Sequence, residues 1–134
     1  MKGEIKMKAE INLVTIWTED IERMKDFYTR VLGFKIKSDL GGYVEFESNG
    51  VRFAICVRKT MYDYSDEYRK AATGQAFELA FPCDDPNDVD ASYNKLIELG
   101  ETPVCPPANM PWNQRTALFA DPDGNIHEIF ADIA

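Results

Sequence analysis

The chain has 134 residues, 45% hydrophobic and 28% charged, which is the ordinary balance of a globular protein that buries a core. Its formal charge of -8, from 15 basic and 23 acidic residues, argues against nucleic acid or an acidic membrane surface as a partner. No apolar run approaches the roughly 20 residues that cross a bilayer, and the opening residues lack a signal-peptide pattern. We therefore expect one cytoplasmic domain over 1–134.

The first half of the chain is predicted to form a strand, a helix and three more strands. Residues 11–17 (INLVTIW) are β-branched and apolar, as in a strand. A helix over 20–33 follows, because Asp20 is a candidate N-cap, apolar residues recur at helical spacing, and Gly33 can end it. Three short strands are then predicted over 35–38, 43–48 and 51–57.

The second half repeats this order. A strand over 76–82 precedes a helix that Asp85 caps and that holds Pro86 in its first turn. Strands are then predicted over 102–105, 115–120 and 126–130.

These patterns predict two βαβββ modules, over about 10–58 and about 76–134. Neither module can bury both faces of its sheet alone, so the two must pack together. We expect an α+β fold in which the modules form a curved mixed sheet around a cavity, and the seam between them is a natural place for a ligand.

The connecting segment 59–75 is rich in tyrosine and charge. Met61, Tyr64 and Tyr68 have the spacing of a short amphipathic helix. Two interpretations stay open here: a covering loop that fills a gap in the core, or a lid over a pocket.

Three cysteines, Cys56, Cys83 and Cys105, are widely spaced and form no CxxC pair. They predict buried thiols rather than a disulfide framework or a zinc site.

Alternation along the strands divides their side chains between two faces. In 51–57 the odd positions are apolar and suit the helix side, which leaves Arg52 and Cys56 on the opposite face. Tyr43 and Glu78 fall on that opposite face in their own strands. A mixture of small, aromatic and charged groups is typical of a binding cavity, although the solvent-facing side of a sheet would also show it.

The last strand separates its two titratable residues. Glu128 shares a face with Ile126 and Phe130, whereas His127 points to the other face, so one site cannot use both. Glu128 is expected in an enclosed setting, where a carboxylate needs a partner or a raised pKa. His127 is expected to be a packed or half-exposed histidine.

The stretch 109–119 (NMPWNQRTALF) offers ligand-binding groups. Trp112 has a flat face for stacking, Gln114 both donates and accepts, and Arg115 suits a carboxylate or a phosphate. The alternative is structural: Trp112 would plug the end of the barrel, and Arg115 would pair with an acidic neighbour such as Glu128.

Residues 11–34 (INLVTIWTEDIERMKDFYTRVLGF) and 120–130 (ADPDGNIHEIF), framing the two modules, resemble the vicinal oxygen chelate superfamily. That group includes glyoxalase I, bleomycin-resistance proteins, fosfomycin-modifying transferases and extradiol dioxygenases. The resemblance covers nearly the whole chain after residue 10 and implies the glyoxalase/bleomycin-resistance/dihydroxybiphenyl dioxygenase fold. It specifies activity poorly, because members share architecture and differ in chemistry.

The resemblance also implies a metal site with a His on the first strand, a His or Glu on the fourth, a His opening the second module and a Glu after the DPDG turn. The matching positions are Leu13, Ala54 or Cys56, Glu78 and Glu128, so only Glu128 agrees by residue type. Two carboxylates without imidazole suit a hard ion. Because most of the usual ligands are missing, we expect no cofactor. The alternative is a divalent metal ion at Glu78 and Glu128, completed by Cys56, water or a second chain.

The favoured function is binding of a small aromatic or amphipathic molecule in the central cavity, as in bleomycin-resistance proteins, without the usual metal. Its ligand-binding residues would be Leu13, Tyr43, Arg52, Cys56, Trp112, Gln114 and Arg115. The alternative is a metal-dependent lyase, isomerase or dioxygenase of the glyoxalase I type, with Glu128 and Glu78 as catalytic residues. A subunit that acts only as an interaction partner is a third possibility. By analogy with relatives we expect a homodimer.

Overall fold

The computed structural model describes residues 5–70, 74–75 and 77–133. Within these ranges there are eight strands: β1 (Leu13–Thr18), β2 (Ile36–Asp39), β3 (Tyr43–Phe46), β4 (Arg52–Val57), β5 (Ala80–Pro82), β6 (Thr102–Met110), β7 (Gln114–Ala120) and β8 (Ile126–Asp132). The helical elements are α1 (Ile21–Asp26) with a π-helical turn (Phe27–Val31), α2 (Pro86–Glu98), and 3-10 helices over Arg58–Met61 and Asp66–Arg69.

The strands form two four-stranded sheets with the same connectivity. The first sheet has the order β1-β4-β3-β2 and the second the order β5-β8-β7-β6. In each sheet the first strand runs parallel to the fourth, and the other neighbours are antiparallel. Each sheet therefore has the βαβββ arrangement, and the predicted α+β class is confirmed.

Both helices begin where the sequence predicts. The backbone N–H of Arg23 donates to Asp20 Oδ1 at 3.1 Å, and that of Asn87 donates to Asp85 Oδ1 at 2.8 Å. Such caps satisfy N–H groups that have no partner inside the helix. No helix within the described ranges combines the length and the apolar character needed to span a membrane.

The first helix differs from the predicted continuous α-helix in its last turn. Phe27–Val31 is π-helical, and the N–H of Leu32 donates to the carbonyl of Phe27 at 3.1 Å. The wider turn alters the direction of successive side chains. The adjacent residues Phe27 and Tyr28, at the start of this turn, are both buried, with exposed fractions of 2% and 0%.

The hydrophobic core lies between the helices and the two sheets and is shared by both halves of the chain. The ring centroids of Phe27 and Phe119 lie 6.3 Å apart, and those of Phe34 and Phe81 lie 5.9 Å apart. Each pair joins one residue of the first half to one of the second. Burial of these aromatic side chains stabilises the association of the halves.

Strand β5 is shorter than the predicted strand over 76–82, of which residue 76 lies outside the described residues. A side chain replaces the missing backbone pairing: Gln75 Oε1 accepts from the N–H of Ile126 at 2.6 Å, and its Nε2 donates to the Ile126 carbonyl at 2.8 Å. Glu78 therefore precedes β5 rather than lying inside it.

The connecting segment contains two short 3-10 helices where the sequence predicts one amphipathic helix. Ser65 caps the second of them by accepting from the N–H of Glu67, so the chain starts a new turn instead of extending the first. The ring of Tyr68 packs edge-on against Trp17 with centroids 5.3 Å apart, whereas Tyr64 is 80% exposed. Residues 71–73 of this segment lie outside the described residues.

Candidate functional site

The sheet surfaces that point away from the helices are called the inner face. In the first sheet Phe53 and Ile55 face the helices and are buried in the core. Alternation places their neighbours on the inner face, and the strand registers arrange these in three rows: Leu13 and Arg52; Thr15, Ala54 and Glu45; Trp17, Cys56 and Tyr43.

The second sheet presents Glu128 on its inner face. Ala80 and Leu118 lie beside it in register, on β5 and β7. Burial raises the pKa of Glu128, and the negative charge of Glu78 raises that pKa further. The structure thus brings Glu78 and Glu128 within electrostatic reach of each other, and neither forms an ion pair among the described residues.

The two sheets can be compared position by position. Thr15 and Ala80 each lie five residues before the aspartate that caps the following helix. Thr15 pairs with Ala54, and Ala80 pairs with Glu128. Ala54, rather than Cys56, therefore occupies in the first sheet the place that Glu128 has in the second.

The first sheet carries its own carboxylate one strand further out. Glu45, beside Ala54, is only 5% exposed. Arg52 donates two hydrogen bonds to the Glu45 carboxylate, from Nε at 2.9 Å and from Nη2 at 2.8 Å. The Tyr43 hydroxyl donates a third at 3.3 Å. The Arg52 hydrogen bonds lower the pKa of Glu45 to about 2. Glu45 therefore stays ionised at any physiological pH.

Glu45 is not among the residues that sequence analysis selects, although alternation along its strand places it on the same face as Tyr43. Alternation reveals which face a side chain takes, whereas the Glu45–Arg52 pair depends on the register of β3 against β4. The pair could have been predicted from the sequence, because a carboxylate and a guanidinium lie on the same face of two strands that a short turn joins.

Trp17 and Cys56 occupy one end of this inner face, where the connecting segment covers them. Cys56 is 3% exposed, and burial raises the pKa of its thiol, while a hydrogen bond with Thr60 acts in the opposite direction. Leu13, at the other end, is 38% exposed. The face is thus covered around Cys56 and open at the Leu13 end.

The three residues predicted around the β6–β7 turn do not form one group. Arg115 donates from Nε and Nη2 to the two oxygens of Asp90 on α2, at 2.6 and 3.0 Å, which places it on the helix side. Gln114 lies on the inner face and donates to Asp132 Oδ1 at 3.1 Å. Trp112 is 62% exposed in the turn itself.

Two clefts lie at opposite ends of β1, along the seam. One, of about 600 Å³, is lined by Val14, Arg52 and Phe53 together with residues 79–82. The other, of about 540 Å³, is lined by Trp17 and Arg58 on one side and by Gln75 and Asn125 on the other. Both halves of the chain line each cleft.

The chain's own residues do not fit a transition-metal ion at the positions that the resemblance implies. Leu13 and Ala54 have no donor atom, which leaves Glu78 and Glu128. The described residues contain no cluster of three or more His, Cys, Asp or Glu side chains arranged for a metal. His127 points to the helix side, is 2% exposed, and has Nε2 2.8 Å from the Tyr28 hydroxyl. Sites for such ions normally include nitrogen or sulfur donors.

Comparison with known proteins identifies relatives along nearly the whole chain. The chain is 29% identical over 123 residues to the Bacillus subtilis (strain 168) protein "Uncharacterized protein YraH", covering 87% of this chain and 94% of that protein. A glyoxalase/bleomycin resistance protein/dioxygenase from Nocardioides is 27% identical with a TM-score of 0.82, covering 96% of this chain and 87% of that one.

A structure from Burkholderia phytofirmans PsJN, described as a glyoxalase/bleomycin resistance protein/dioxygenase family enzyme, superposes with a TM-score of 0.84 at 22% identity. It covers 93% of this chain and 100% of that chain, and it supports the fold. A model of the Glyoxalase/Bleomycin resistance protein/Dioxygenase superfamily matches residues 10–129. The chain therefore belongs to the glyoxalase/bleomycin resistance protein/dioxygenase superfamily.

Proposed function

We propose that this protein binds a small aromatic or amphipathic molecule on its inner face, without a transition-metal ion. The observation that carries the proposal is the ion pair between Glu45 and Arg52. It lies on the inner face, where the family pattern would place metal ligands and where this chain has Leu13 and Ala54 instead. A fixed polar anchor replaces a metal as the group that orients a ligand.

The geometry of Arg52 supports this role. Its side chain is 54% exposed, although Glu45 holds it through Nε and Nη2. A guanidinium has five N–H donors in a rigid plane, so the Nη1 donors are left for an acceptor group of a ligand. Because Glu45 fixes the plane, little side-chain entropy is lost when a ligand binds.

The surroundings supply the apolar part of the site. Leu13 lies beside Arg52 on the inner face and offers apolar surface there. Arg52 also borders the cleft of about 600 Å³ at the seam, whose other walls include Val14 and Phe53 on the helix side, and that volume is typical of small-molecule sites. Of the residues predicted to bind a ligand, we propose Leu13, Tyr43, Arg52, Cys56 and Gln114 as contacts. Trp112 and Arg115 lie outside the proposed site.

A thermal-shift screen with aromatic and amphipathic compounds tests this function. A ligand that binds the native state raises the Tm by mass action. The paired variant Glu45→Gln/Arg52→Gln removes the anchor without leaving a buried charge unpaired. We expect it to lose the shifts, and Arg30→Gln, which breaks only an exposed ion pair with Asp26, to retain them. Shifts of equal size in the paired variant and the wild type would contradict the proposal.

An enzymatic function is the second candidate, and the environment of Glu128 favours it. Glu45 has a lowered pKa and Glu128 a raised one, and carboxylates with separated pKa values are typical of acid–base chemistry. Metal analysis with added Ni²⁺, Zn²⁺, Mn²⁺ or Fe²⁺ separates the candidates. A stoichiometric ion that is lost in Glu128→Gln would favour a metal-dependent lyase or dioxygenase over a binding protein.

We also propose a cytoplasmic homodimer. Cys56 is buried, Cys83 is half-buried and Cys105 is exposed, so the expectation of a buried thiol is wrong for Cys105. All three are free thiols, as is usual in a reducing compartment. Val104 and Trp112, on and beside β6, are 40% and 62% exposed and offer apolar surface to a second copy. Sedimentation velocity of the wild type and Trp112→Ser measures the association; a monomeric wild type would contradict the dimer.

A further inference from the structure

An apolar groove lies on the helix side of the molecule, on the surface opposite the inner face. It has a volume of about 520 Å³ and runs between the end of the first helix, strand β5 and α2. Its wall and floor include Phe34, Phe81, Leu96, Phe119 and Ile129. A groove of this size and composition can hold the apolar body of a small molecule.

One charged side chain lines this groove, that of Lys95 on α2. In the described part of the chain Lys95 takes part in no ion pair, although carboxylates outnumber basic groups in the sequence by 23 to 15. Ser92, one helical turn before it, also lines the groove and adds a hydroxyl donor. An ammonium at the rim of an apolar groove is complementary to a ligand with an anionic head and an apolar body.

Acidic residues near the groove favour Lys95 as the position of such a head. The Cys83 sulfur lies 4.0 Å from the Ser92 hydroxyl. Burial raises the pKa of the Cys83 thiol, and the charges of Asp88 and Asp84 raise it further. These carboxylates repel an anionic head from Cys83, which leaves the Lys95 ammonium as its partner.

We propose that this groove binds an amphipathic monocarboxylate, with its apolar body against Phe81 and Leu96 and its carboxylate at the Lys95 ammonium. A single ammonium suits a carboxylate better than a phosphate dianion, which is normally held by several donors. The exposed N-terminal segment is a poor occupant, because Lys6 and Lys8 alternate with its apolar residues and would bring like charge to Lys95.

Titration with decanoate, decan-1-ol and decyltrimethylammonium tests the head group. We expect decanoate to bind the wild type more tightly than the other two. Lys95→Gln should weaken decanoate binding by about tenfold and leave decan-1-ol unchanged. Lys59→Gln, which removes an exposed lysine on a 3-10 helix, is the matched control and should bind decanoate like the wild type. Unchanged decanoate affinity in Lys95→Gln would overturn the proposal.

Methyl NMR locates the ligand. Decanoate should shift the methyl resonances of Leu96, Leu99 and Ile129, and shifts confined to Leu118 and Ile126 on the inner face would contradict the groove.

Leu99→Glu places a carboxylate beside the groove and should abolish decanoate binding. If the wild type sediments as a dimer that Leu99→Glu dissociates, the groove is a subunit interface and the proposal is wrong. Glu45→Gln/Arg52→Gln should still bind decanoate, which separates this site from the one on the inner face.

Discussion

The hydroxyl of Tyr28, on the first helix, donates a hydrogen bond of 2.8 Å to Asp121, which begins the turn before β8. Both residues are almost fully buried. Asp121 also accepts from the backbone N–H groups of Asp123 and Asn125, both at 2.9 Å, and from Asn125 Nδ2 at 2.8 Å. The contact therefore joins the first half of the chain to the folded DPDG turn of the second.

His127 completes this network. Its Nδ1 accepts from the N–H of Leu79 at 3.4 Å, and its Nε2 lies 2.8 Å from the Tyr28 oxygen. Because the Tyr28 hydroxyl donates to Asp121, Nε2 is the donor in this contact. Burial raises the pKa of Tyr28, so the phenol remains a donor to Asp121. The single histidine thus orients a structural hydrogen-bond chain, as expected for a packed histidine.

Replacement of Tyr28 by phenylalanine should destabilise the fold. The change removes a hydrogen bond to a buried carboxylate, and we expect a loss of about 1.5–3 kcal/mol in the free energy of unfolding. Urea denaturation measures it. Tyr64→Phe, at a tyrosine that is 80% exposed, should change the stability by less than about 0.5 kcal/mol. Equal effects of the two substitutions would refute the structural role of the Tyr28 hydroxyl.

The ion pair of Glu45 should make stability depend on pH in the acid range. Its pKa is lowered from 4.5 to about 2, so the folded state favours the ionised form. The stabilisation is present above pH 4.5 and is lost as the pH falls toward 2. We expect Glu45→Gln to be less stable than the wild type at pH 7, with a difference that shrinks over this window. A difference that is the same at pH 7 and pH 3 would contradict the assignment.

Glu128 should behave in the opposite way. Because burial and Glu78 raise its pKa, the folded state favours the protonated form, and stability is lost as the pH rises from the unfolded pKa through the folded one. Glu128→Gln should therefore be more stable than the wild type at pH 7 and no more stable at pH 3. Thermal unfolding at both pH values checks this. A variant that is less stable at pH 7 would show that Glu128 has a stabilising partner.

The sequence is sufficient to predict those features that depend on neighbouring residues. Asp20 and Asp85 mark the helix starts because a cap is a local hydrogen bond, and alternation assigns Glu128 and His127 to opposite faces because a strand has a period of two. The repeated order of elements also predicts the two sheets. These features require no knowledge of how distant segments meet.

Features that depend on distant contacts are less accessible. Phe27 and Tyr28, at the start of the π-helical turn, pack in a core that is completed by Phe119 and His127, which lie more than ninety residues later in the chain. Arg115 pairs with Asp90 on α2, and this pairing depends on how the helix packs on the sheet. Propensity and periodicity carry no information on either contact.

The side chain of Gln75 should control the environment of Glu128. Its amide donates to the carbonyls of Phe77 and Ile126 and accepts from the N–H of Ile126, and so it holds the chain just before Glu78 against β8. We expect Gln75→Ala to release this segment and to move the Glu78 charge away, so that the pKa of Glu128 falls toward its usual value. An NMR titration of the Glu128 carboxyl measures that shift, and faster hydrogen exchange at the Ile126 amide reports the local opening. Gln114→Ala is the matched control, because it removes a side-chain amide that donates to Asp132 instead. It should change neither the Glu128 pKa nor the exchange rate at Ile126. An unchanged Glu128 pKa alongside accelerated exchange at Ile126 would mean that Gln75 fastens the strand without setting the electrostatics of the inner face.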